Sequence, residues 1–289
     1  MSASFQLSCE STVDFPYDYM AKRNIPVLFY TYTMNGEEYE DNMLRDPDAL
    51  PNFFARLKAG EKPSTSQINF SRYLTFFEDL LQKGDLLHIA FGTGMTPSYY
   101  NACRAVEVLR KKHPNRELVV IDSLCSCIGY GMLTDLAADL RDEGYTLSET
   151  AKRITDMRLN VHHQFFSTDL TQFRRSGRVS GPAAAVGTFL NICPLMHLNR
   201  EGKIIAYGKV RGIRQVIEAT ADTVAAHTTP ATTIFRIGHS QCPKLAEQTA
   251  DALRQRLGDI PIEIMEIGTI ISAHCGPGTV AVFFLGSER

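Results

Sequence analysis

The sequence contains no apolar run close to the roughly 20 residues that a membrane-spanning helix requires, so no segment is predicted to cross a bilayer. Its formal net charge is only −2, which gives no overall field that favours nucleic acid. For the same reason, contact with an anionic membrane surface is expected to be transient at most. The first residues lack a basic region followed by an apolar stretch, which argues against a secretion signal. These absences predict a cytoplasmic protein.

Cysteine is sparse and irregularly placed. The seven cysteines are an odd number without a regular spacing, which argues against a disulfide framework and fits a reducing compartment. Cys125-Ser126-Cys127 is not a C-x-x-C motif, and no histidine pair follows at zinc-ligand spacing. Buried apolar thiols are the better interpretation, and neither a metal nor another cofactor is expected.

The motifs of covalent and nucleotide chemistry are missing as well. Gly92-Thr93-Gly94 lacks the Gly-Lys-Ser/Thr ending of a P-loop. No Gly-x-Ser-x-Gly elbow precedes a histidine, and no pair of carboxylates stands out. The sequence therefore gives no support to covalent catalysis.

What is present is the size and patterning of two α/β domains. The 289 residues are 44% hydrophobic and 21% charged, as is ordinary for a globular protein. Over residues 1–160, apolar strands at 86–91 and 118–122 alternate with helical segments, which is typical of a parallel βαβ sheet. Over residues 161–289, a helix is predicted at 182–190, followed by a hairpin and a closing strand. The expected fold class is α/β, with an N-terminal parallel-sheet domain and a C-terminal mixed-sheet domain.

Polar turns follow several of these strands, at the carboxyl ends where open α/β sheets bind ligands. Ser11 follows the first strand, and Thr93 lies in the turn after the strand at 86–91. The same turn opens a helix, whose free N–H groups suit an anion. Two interpretations of Thr96 stay open, because it can contact a ligand or cap the helix that begins at Pro97. Ser98 is the alternative hydroxyl of this turn.

Three further side chains are candidates for binding a polar group. Thr65 precedes another helix, but Ser66 and Asn69 fit the capping role better, which leaves the Thr65 hydroxyl available. Arg178 follows a glycine that ends a helix, so it can turn inward to an acidic group.

His274 precedes a Gly-Pro-Gly turn, and glycine permits the backbone angles that a close approach requires. Imidazole exchanges a proton near neutral pH. His239, which follows a strand and precedes Ser240, competes with His274 for a role in the site.

Five motifs, taken in order, resemble the DegV family of bacterial fatty-acid-binding proteins. They cover nearly the whole chain, and each is weak alone. They are Glu10-Ser11-Thr12-Val13-Asp14-Phe15-Pro16, Thr65-Ser66-Gln67, Met95-Thr96-Pro97-Ser98-Tyr99, the segment from Asp169-Leu170 to Gly177-Arg178-Val179-Ser180, and Ala273-His274-Cys275-Gly276-Pro277-Gly278.

The resemblance implies a protein that binds one long-chain fatty acid in an apolar tunnel between its two domains. It assigns the carboxylate to Thr65 and Thr96, and the family's arginine and histidine correspond to Arg178 and His274. Some members present the acid to a separate kinase, which makes an acyl phosphate for phospholipid synthesis. By this resemblance the chain is a carrier and not an enzyme.

The chain departs from the family pattern near the expected head group. Glu10 replaces an aspartate, Ile68 a proline and Cys275 a threonine. Thr96 replaces a serine and Pro97 a glycine, so one N–H is lost and the pocket is expected to be narrower.

An enzyme is the alternative hypothesis. It would act on a small phosphorylated or carbonyl substrate, with His274 as general acid–base and Arg178 as anion clamp. The shape and polarity of the pocket distinguish the carrier hypothesis from the enzyme hypothesis. A long apolar tunnel favours a carrier, and a short polar cleft favours an enzyme.

Overall fold

A computed structural model describes residues 5–180 and 192–289 of the chain. The chain divides into two compact units, Met1–Arg158 and Leu159–Arg289. The helix predicted at 182–190 lies outside the described residues. Within the described part, no helix combines the length and the apolarity needed to cross a bilayer.

A parallel sheet forms the centre of the first unit, as the βαβ pattern predicts. Its strands are β1 (Gln6–Glu10), β2 (Val27–Leu28), β6 (Leu86–Ala90) and β7 (Leu118–Asp122), in the order β2-β1-β6-β7. All three strand pairings are parallel. The described helices of this unit are α1 (Tyr17–Lys22), α2 (Ala49–Lys58), α3 (Phe70–Leu81), α4 (Ser98–Lys112), α5 (Cys127–Asp142) and α6 (Leu147–Met157).

A small antiparallel sheet that the sequence analysis does not predict lies between β2 and α3 in chain order. It consists of β3 (Thr31–Met34), β4 (Glu37–Glu40) and β5 (Ser64–Ser66), with β3 in the middle. Asn35 and Gly36 join β3 to β4 with positive φ angles of 53° and 84°, as a tight hairpin requires. The sequence signal is weak because β4 is acidic and mostly exposed.

The second unit is built on a mixed sheet, which confirms the expectation for the C-terminal half. Its described strands are β8 (Val161–Ser167), β9 (Val179–Ser180), β10 (Ile192–Leu198), β11 (Ile204–Arg211), β12 (Phe235–Ser240), β13 (Ile262–Glu266) and β14 (Thr279–Leu285). They lie in the order β13-β12-β14-β8-β10-β11-β9. The described helices are α7 (Thr171–Ser176), α8 (Ile213–His227), α9 (Pro243–Leu257) and α10 (Thr269–Cys275).

Two features of the second unit bear on the candidate site. The predicted hairpin is confirmed, because β10 and β11 pair antiparallel around a turn at Asn199–Gly202. The segment before the Gly-Pro-Gly turn is helical, and α10 carries His274 next to its last residue. The buried core of the unit includes Val216 of α8, Ala250 of α9 and Val282 of β14.

The turn that follows β1 packs closely against a glycine of α5. Gly131 lies in α5, and a Cβ at this position would come within 2.6 Å of the Val13 carbonyl oxygen and 2.7 Å of the Phe15 ring. The short 3₁₀ helix Ser11–Val13 is fully buried against this surface. A residue larger than glycine would therefore push the Ser11–Val13 turn away from α5.

We predict that Gly131→Ala lowers the free energy of unfolding by about 1–2 kcal/mol. Overpacking costs about 1–3 kcal/mol, and a clash with a backbone oxygen falls in the upper part of that range, so the cost exceeds the roughly 1 kcal/mol that alanine gains over glycine in a helix. Urea unfolding measures the change. Gly84→Ala is the control, because its Cβ would meet only the Gln6 side chain, at 3.7 Å or more. A loss of stability no greater than that of the control would contradict the predicted clash.

Candidate ligand-binding site

The polar turns of the first unit gather at one edge of its parallel sheet. Ser11 follows β1, the turn from Phe91 to Pro97 follows β6, and Ser123 follows β7. Since β1, β6 and β7 are adjacent and parallel, their carboxyl ends meet at the same edge. The Thr96 and Ser98 hydroxyls therefore lie where α/β sheets usually bind ligands.

Thr96 and Ser98 form a buried pair of hydroxyls at the start of α4. Their side-chain oxygens are 3.0 Å apart. The Ser98 N–H donates to Thr96 Oγ1 at 3.3 Å, so Thr96 also satisfies a backbone group at the helix start. Pro97 occupies the N-cap position and makes no side-chain cap bond. The capping and ligand-binding interpretations of Thr96 are therefore compatible, because its oxygen accepts from the backbone while its hydrogen can be donated elsewhere.

Thr65 lies in β5, next to Tyr32 of β3 in register, and is half-buried. The chain that follows it is joined to the start of α4, because the Ile68 N–H donates to Ser98 Oγ at 3.1 Å. Asn69, as expected, caps α3 by accepting from the Arg72 N–H at 3.0 Å. The segment that carries Thr65 and the turn that carries Thr96 are thus connected through Ser98.

A buried carboxylate that the sequence analysis did not single out for a role lies behind these hydroxyls. Glu10 ends β1 and is fully buried. Its Oε2 accepts from the Tyr30 hydroxyl at 3.2 Å and from the Phe91 N–H at 3.0 Å. Its Oε1 accepts from the Tyr73 hydroxyl and lies 3.3 Å from His88 Nε2. Satisfying a buried carboxylate in this way avoids a cost of several kcal/mol.

Tyr30 is the buried partner of Glu10. Burial, and next the negative charge of Glu10, raise the pKa of Tyr30 well above its usual value, so the phenol keeps its proton. The Ser98 and Thr96 hydroxyls have a smaller effect in the opposite direction on the pKa of Tyr30. Glu10 and Tyr30 form one buried hydrogen-bonded pair, and Thr96 and Ser98 form another.

The secondary candidates Ser11 and Thr93 have internal partners. Ser11 Oγ accepts from the Tyr30 N–H at 3.0 Å. Thr93 Oγ1 donates to Asp122 Oδ2 at 2.6 Å, and the Thr93 N–H donates to Asp122 Oδ1 at 3.1 Å. The first bond joins the turn after β1 to the segment after β2, and the other two join the turn after β6 to the end of β7. Together they fix the edge on which Thr96 lies.

In the second unit the structure brings Arg178 and His274 into one neighbourhood. The Ser176 hydroxyl donates to the His274 carbonyl oxygen at 3.3 Å, which joins the end of α7 to α10. Burial lowers the pKa of His274 to about 4, and the positive charge of Arg178 adds to the effect. Arg178 itself is exposed. At neutral pH His274 is therefore uncharged and Arg178 supplies the positive charge.

The turn after α10 needs its glycines for packing. Gly278 has a φ of +84°, and a Cβ there would lie 2.1 Å from Thr168 Oγ1. Its N–H donates to the Ser240 carbonyl at 2.8 Å, and its carbonyl accepts from the Thr168 N–H at 3.0 Å. These contacts of the Gly-Pro-Gly turn therefore fix the position of the neighbouring His274. His239, the competing histidine, is buried in β12 beside Glu266 of β13, and burial lowers its pKa.

Among residues 5–180 and 192–289, no three His, Cys, Asp or Glu side chains are grouped so as to hold a metal ion. The chain is thus an α/β protein of two units. The first unit presents buried hydroxyls at the carboxyl edge of a parallel sheet, and the second pairs a neutral histidine with an arginine.

Comparison with known proteins identifies the family. The family model described as "Uncharacterised protein, DegV family" matches residues 4–287, so the chain belongs to the DegV family, as the five motifs indicated. A DegV domain-containing protein of Clostridium perfringens is 30% identical, over 99% of this chain and 98% of the relative.

Two further relatives are connected with fatty acids, one by its name and the other by its bound ligand. A Thermotoga maritima protein named fatty acid-binding protein is 27% identical over 94% of both chains. The crystal structure of a DegV family protein from Eubacterium eligens, loaded with heptadecanoic acid, matches with a TM-score of 0.85 at 19% identity. The match covers 98% of this chain and all of the other, and it confirms the predicted fold class.

The low pKa of His274 makes a prediction about stability in acid. Because the folded-state pKa of about 4 lies below the ordinary value of about 6.5, the unfolded chain binds the proton more tightly. The stabilising contribution is complete above about pH 6.5 and is lost as the pH falls towards 4. Between pH 7.5 and pH 5 we expect wild type to lose about 2 kcal/mol more than His274→Gln.

Urea unfolding of both proteins across this pH range measures the difference. Burial also lowers the pKa of His162 to about 4, so the wild-type curve alone does not assign the effect. Both proteins contain His162, so its contribution cancels in the comparison. Parallel stability curves for the two proteins would contradict the assignment to His274.

Proposed function

We propose that the protein binds a long-chain fatty acid and holds its carboxylate with the hydroxyls of Thr65 and Thr96, together with Arg178 and His274. The observation that carries the proposal is the buried Thr96–Ser98 pair, which falls at a motif position that the family resemblance assigns to the carboxylate. The match to a fatty acid-binding protein over 94% of both chains supports it.

The chemistry of these side chains suits a carboxylate. Hydroxyl groups donate neutral hydrogen bonds, the Arg178 guanidinium supplies a positive charge, and a neutral imidazole can donate one N–H. A carboxylate removed from water without such donors would be strongly destabilised. The head group is therefore held by several weak donors and by one charge.

The acyl tail supplies most of the affinity. A C16 chain buries about fifteen methylene or methyl groups at roughly 0.8 kcal/mol each, a gross term of about 12 kcal/mol. The loss of translational freedom and the ordering of the chain reduce this term considerably. The polar side chains consequently orient the head group more than they retain the ligand.

The carrier also presents the ordered carboxylate to a separate kinase, which forms the acyl phosphate, and has no catalytic activity of its own. A general acid–base role for His274 is disfavoured, because a group with a pKa of about 4 is a weak base and is unprotonated at neutral pH. We therefore do not propose the enzyme hypothesis.

We predict that the protein purifies with a bound fatty acid or takes one up. Native mass spectrometry of the purified protein should show an added mass in the range of a long-chain acid, and solvent extraction should identify it. Protein that is ligand-free and does not take up added oleate or palmitate would contradict the proposed function.

We predict that Thr65→Val with Thr96→Val weakens the binding of oleate by about 10- to 100-fold, because each valine keeps the shape and removes a donor. Binding of oleyl alcohol, which has the same tail and no charge, should change much less. Titration calorimetry measures both ligands. Acyl-phosphate formation from oleate by a cognate kinase should fall further than the affinity does.

Thr155→Val is the matched control, since Thr155 is exposed on α6 and its hydroxyl bonds only the Ala151 carbonyl of its own helix. It should leave both ligands and the kinase reaction unchanged. Equal losses for oleate and oleyl alcohol in the double variant would show that the two hydroxyls do not act on the head group.

A further inference from the structure

β7 is the last strand at one side of the parallel sheet, and half of its main-chain groups turn away from the sheet. The Leu86 N–H donates to the Glu117 carbonyl at 2.9 Å, and the Ser123 N–H donates to the Ala90 carbonyl at 3.1 Å. Since alternate residues of a strand bond the same neighbour, the odd-numbered residues from 117 to 123 bond β6. The even-numbered residues therefore turn their N–H and C=O groups to the open edge.

Arginine side chains cover this open edge near both of its ends. Arg110 Nη2 donates to the Leu118 carbonyl at 3.0 Å, and Arg158 Nη1 donates to the Asp122 carbonyl at 2.8 Å. Val120 lies midway between these two positions. Among the described residues, neither its N–H nor its carbonyl has a hydrogen-bond partner. Val120 therefore offers one main-chain donor and one main-chain acceptor side by side.

A cleft of about 380 Å³ lies along this edge of β7. It is lined by residues 119–122 of the strand, by Tyr99 in the first turn of α4, and by Ala151 and Lys152 of α6. These residues all belong to the first unit. Clefts that hold ligands have volumes of about 300–1,000 Å³, so the space suits a segment of a few residues.

The charged side chains that line the cleft balance one another. Lys152 and Arg158 are positive, Asp122 and Asp156 are negative, and Lys152 Nζ donates to Asp156 Oδ2 at 2.6 Å. A phosphate or another small anion would meet no excess of positive charge here. An uncharged main-chain amide, which carries one donor and one acceptor, matches both the charge of the cleft and the open groups of Val120.

We propose that this cleft binds a short extended peptide segment of another protein, which adds to β7 as an antiparallel strand and exchanges two main-chain hydrogen bonds with Val120. In an antiparallel pair, two residues that lie directly opposite each other exchange both bonds, so one peptide residue satisfies Val120. Strand addition to an exposed sheet edge is a general mode of peptide recognition. A second copy of β7 fits less well, because it would bring its own α4 and α6 to the same edge. The inference does not rest on the proposed function.

Val120→Pro is the variant that tests the proposal. It removes the open N–H and no bond to β6, and proline is tolerated on edge strands where the N–H faces away from the sheet. The probe is a soluble library of acetylated and amidated pentapeptides of random sequence, selected on wild-type protein. The strongest binder should bind Val120→Pro about tenfold more weakly in titration calorimetry, because one hydrogen bond is lost and the ring obstructs the edge.

Ile264→Pro is the matched control, since β13 is the edge strand of the sheet in the second unit. The Ile267 N–H donates to the His239 carbonyl at 2.9 Å, so odd-numbered residues bond β12 and Ile264 turns its N–H outward. This variant should bind the peptide within about twofold of wild type. An equal loss in both variants, or a peptide that binds Val120→Pro as tightly as wild type, would overturn the proposal.

Hydrogen exchange shows whether the pairing forms in the intact protein. In wild type, saturating peptide should slow exchange of the Val120 amide by about tenfold and leave the Ile264 amide unchanged. In peptide-free Val120→Pro, the Val119 and Ile121 amides, which bond β6, should exchange within about threefold of their wild-type rates. Unchanged exchange of the Val120 amide in the presence of bound peptide would overturn the proposal.

A scan of N-methylated peptides tests the pairing on the wild-type protein and stays decisive when Val120→Pro does not fold. Alternate residues of an added strand turn their N–H groups towards β7, so methylation should weaken binding about tenfold at the residue opposite Val120 and much less at its two neighbours. Equal losses at three consecutive positions, or the lack of any binder in the library, would overturn the proposal. A wild-type dimer in sedimentation that Val120→Pro dissociates would also overturn it, because the edge would then bind a second copy of this chain.

Discussion

Burying the Glu10 carboxylate is the constraint on which the arrangement of the first unit depends. A buried charge that lacks partners costs many kcal/mol, so each group around it must be in place when the unit folds. The partners come from distant parts of the chain: Tyr30, Tyr73, His88 and Phe91. The carboxylate therefore holds together β1, α3, β6 and the turn after β6, which carries the residues next to the candidate site.

Most hydroxyls at this edge of the sheet serve the fold. Ser11 accepts from a backbone N–H, and Thr93 donates to Asp122 of the neighbouring strand. These bonds fix the spacing between turns that follow different strands. Thr96 also takes part in this network, because its oxygen accepts the Ser98 N–H and lies 3.0 Å from Ser98 Oγ. The availability of its hydrogen for a ligand depends on which of these two hydroxyls donates, and the sequence does not record that.

The parts of the fold that follow from apolar periodicity could be predicted to within one or two residues. The strand expected at 86–91 is Leu86–Ala90, the strand at 118–122 agrees, and the helix expected to begin at Pro97 begins at Ser98. This periodicity arises because a strand or helix buries one or both of its faces, so it can be recognised from consecutive residues of the sequence.

Elements set by distant pairing could not be predicted in the same way. β5 is three residues long and has no apolar alternation, so the sequence indicates only a turn before a helix at Thr65. The Glu10 group leaves no local signal for the same reason, since its members are 20 to 81 residues apart in the chain and each one fits an ordinary core pattern. The candidate residues were found through a family resemblance, and their roles remain predictions.

The start of α4 bears on the proposed role of the side-chain hydroxyls. A helix start normally offers free N–H groups to an anion. Here Pro97 has none, the Met95 and Thr96 N–H groups bond the Gly92 carbonyl, and the Ser98 N–H bonds Thr96 Oγ1. Since these main-chain donors are engaged, the proposed contact with a carboxylate relies more on the side-chain hydroxyls. Pro97 stands where the family pattern has a glycine and removes one more N–H, which increases the reliance of the proposed contact on Thr96.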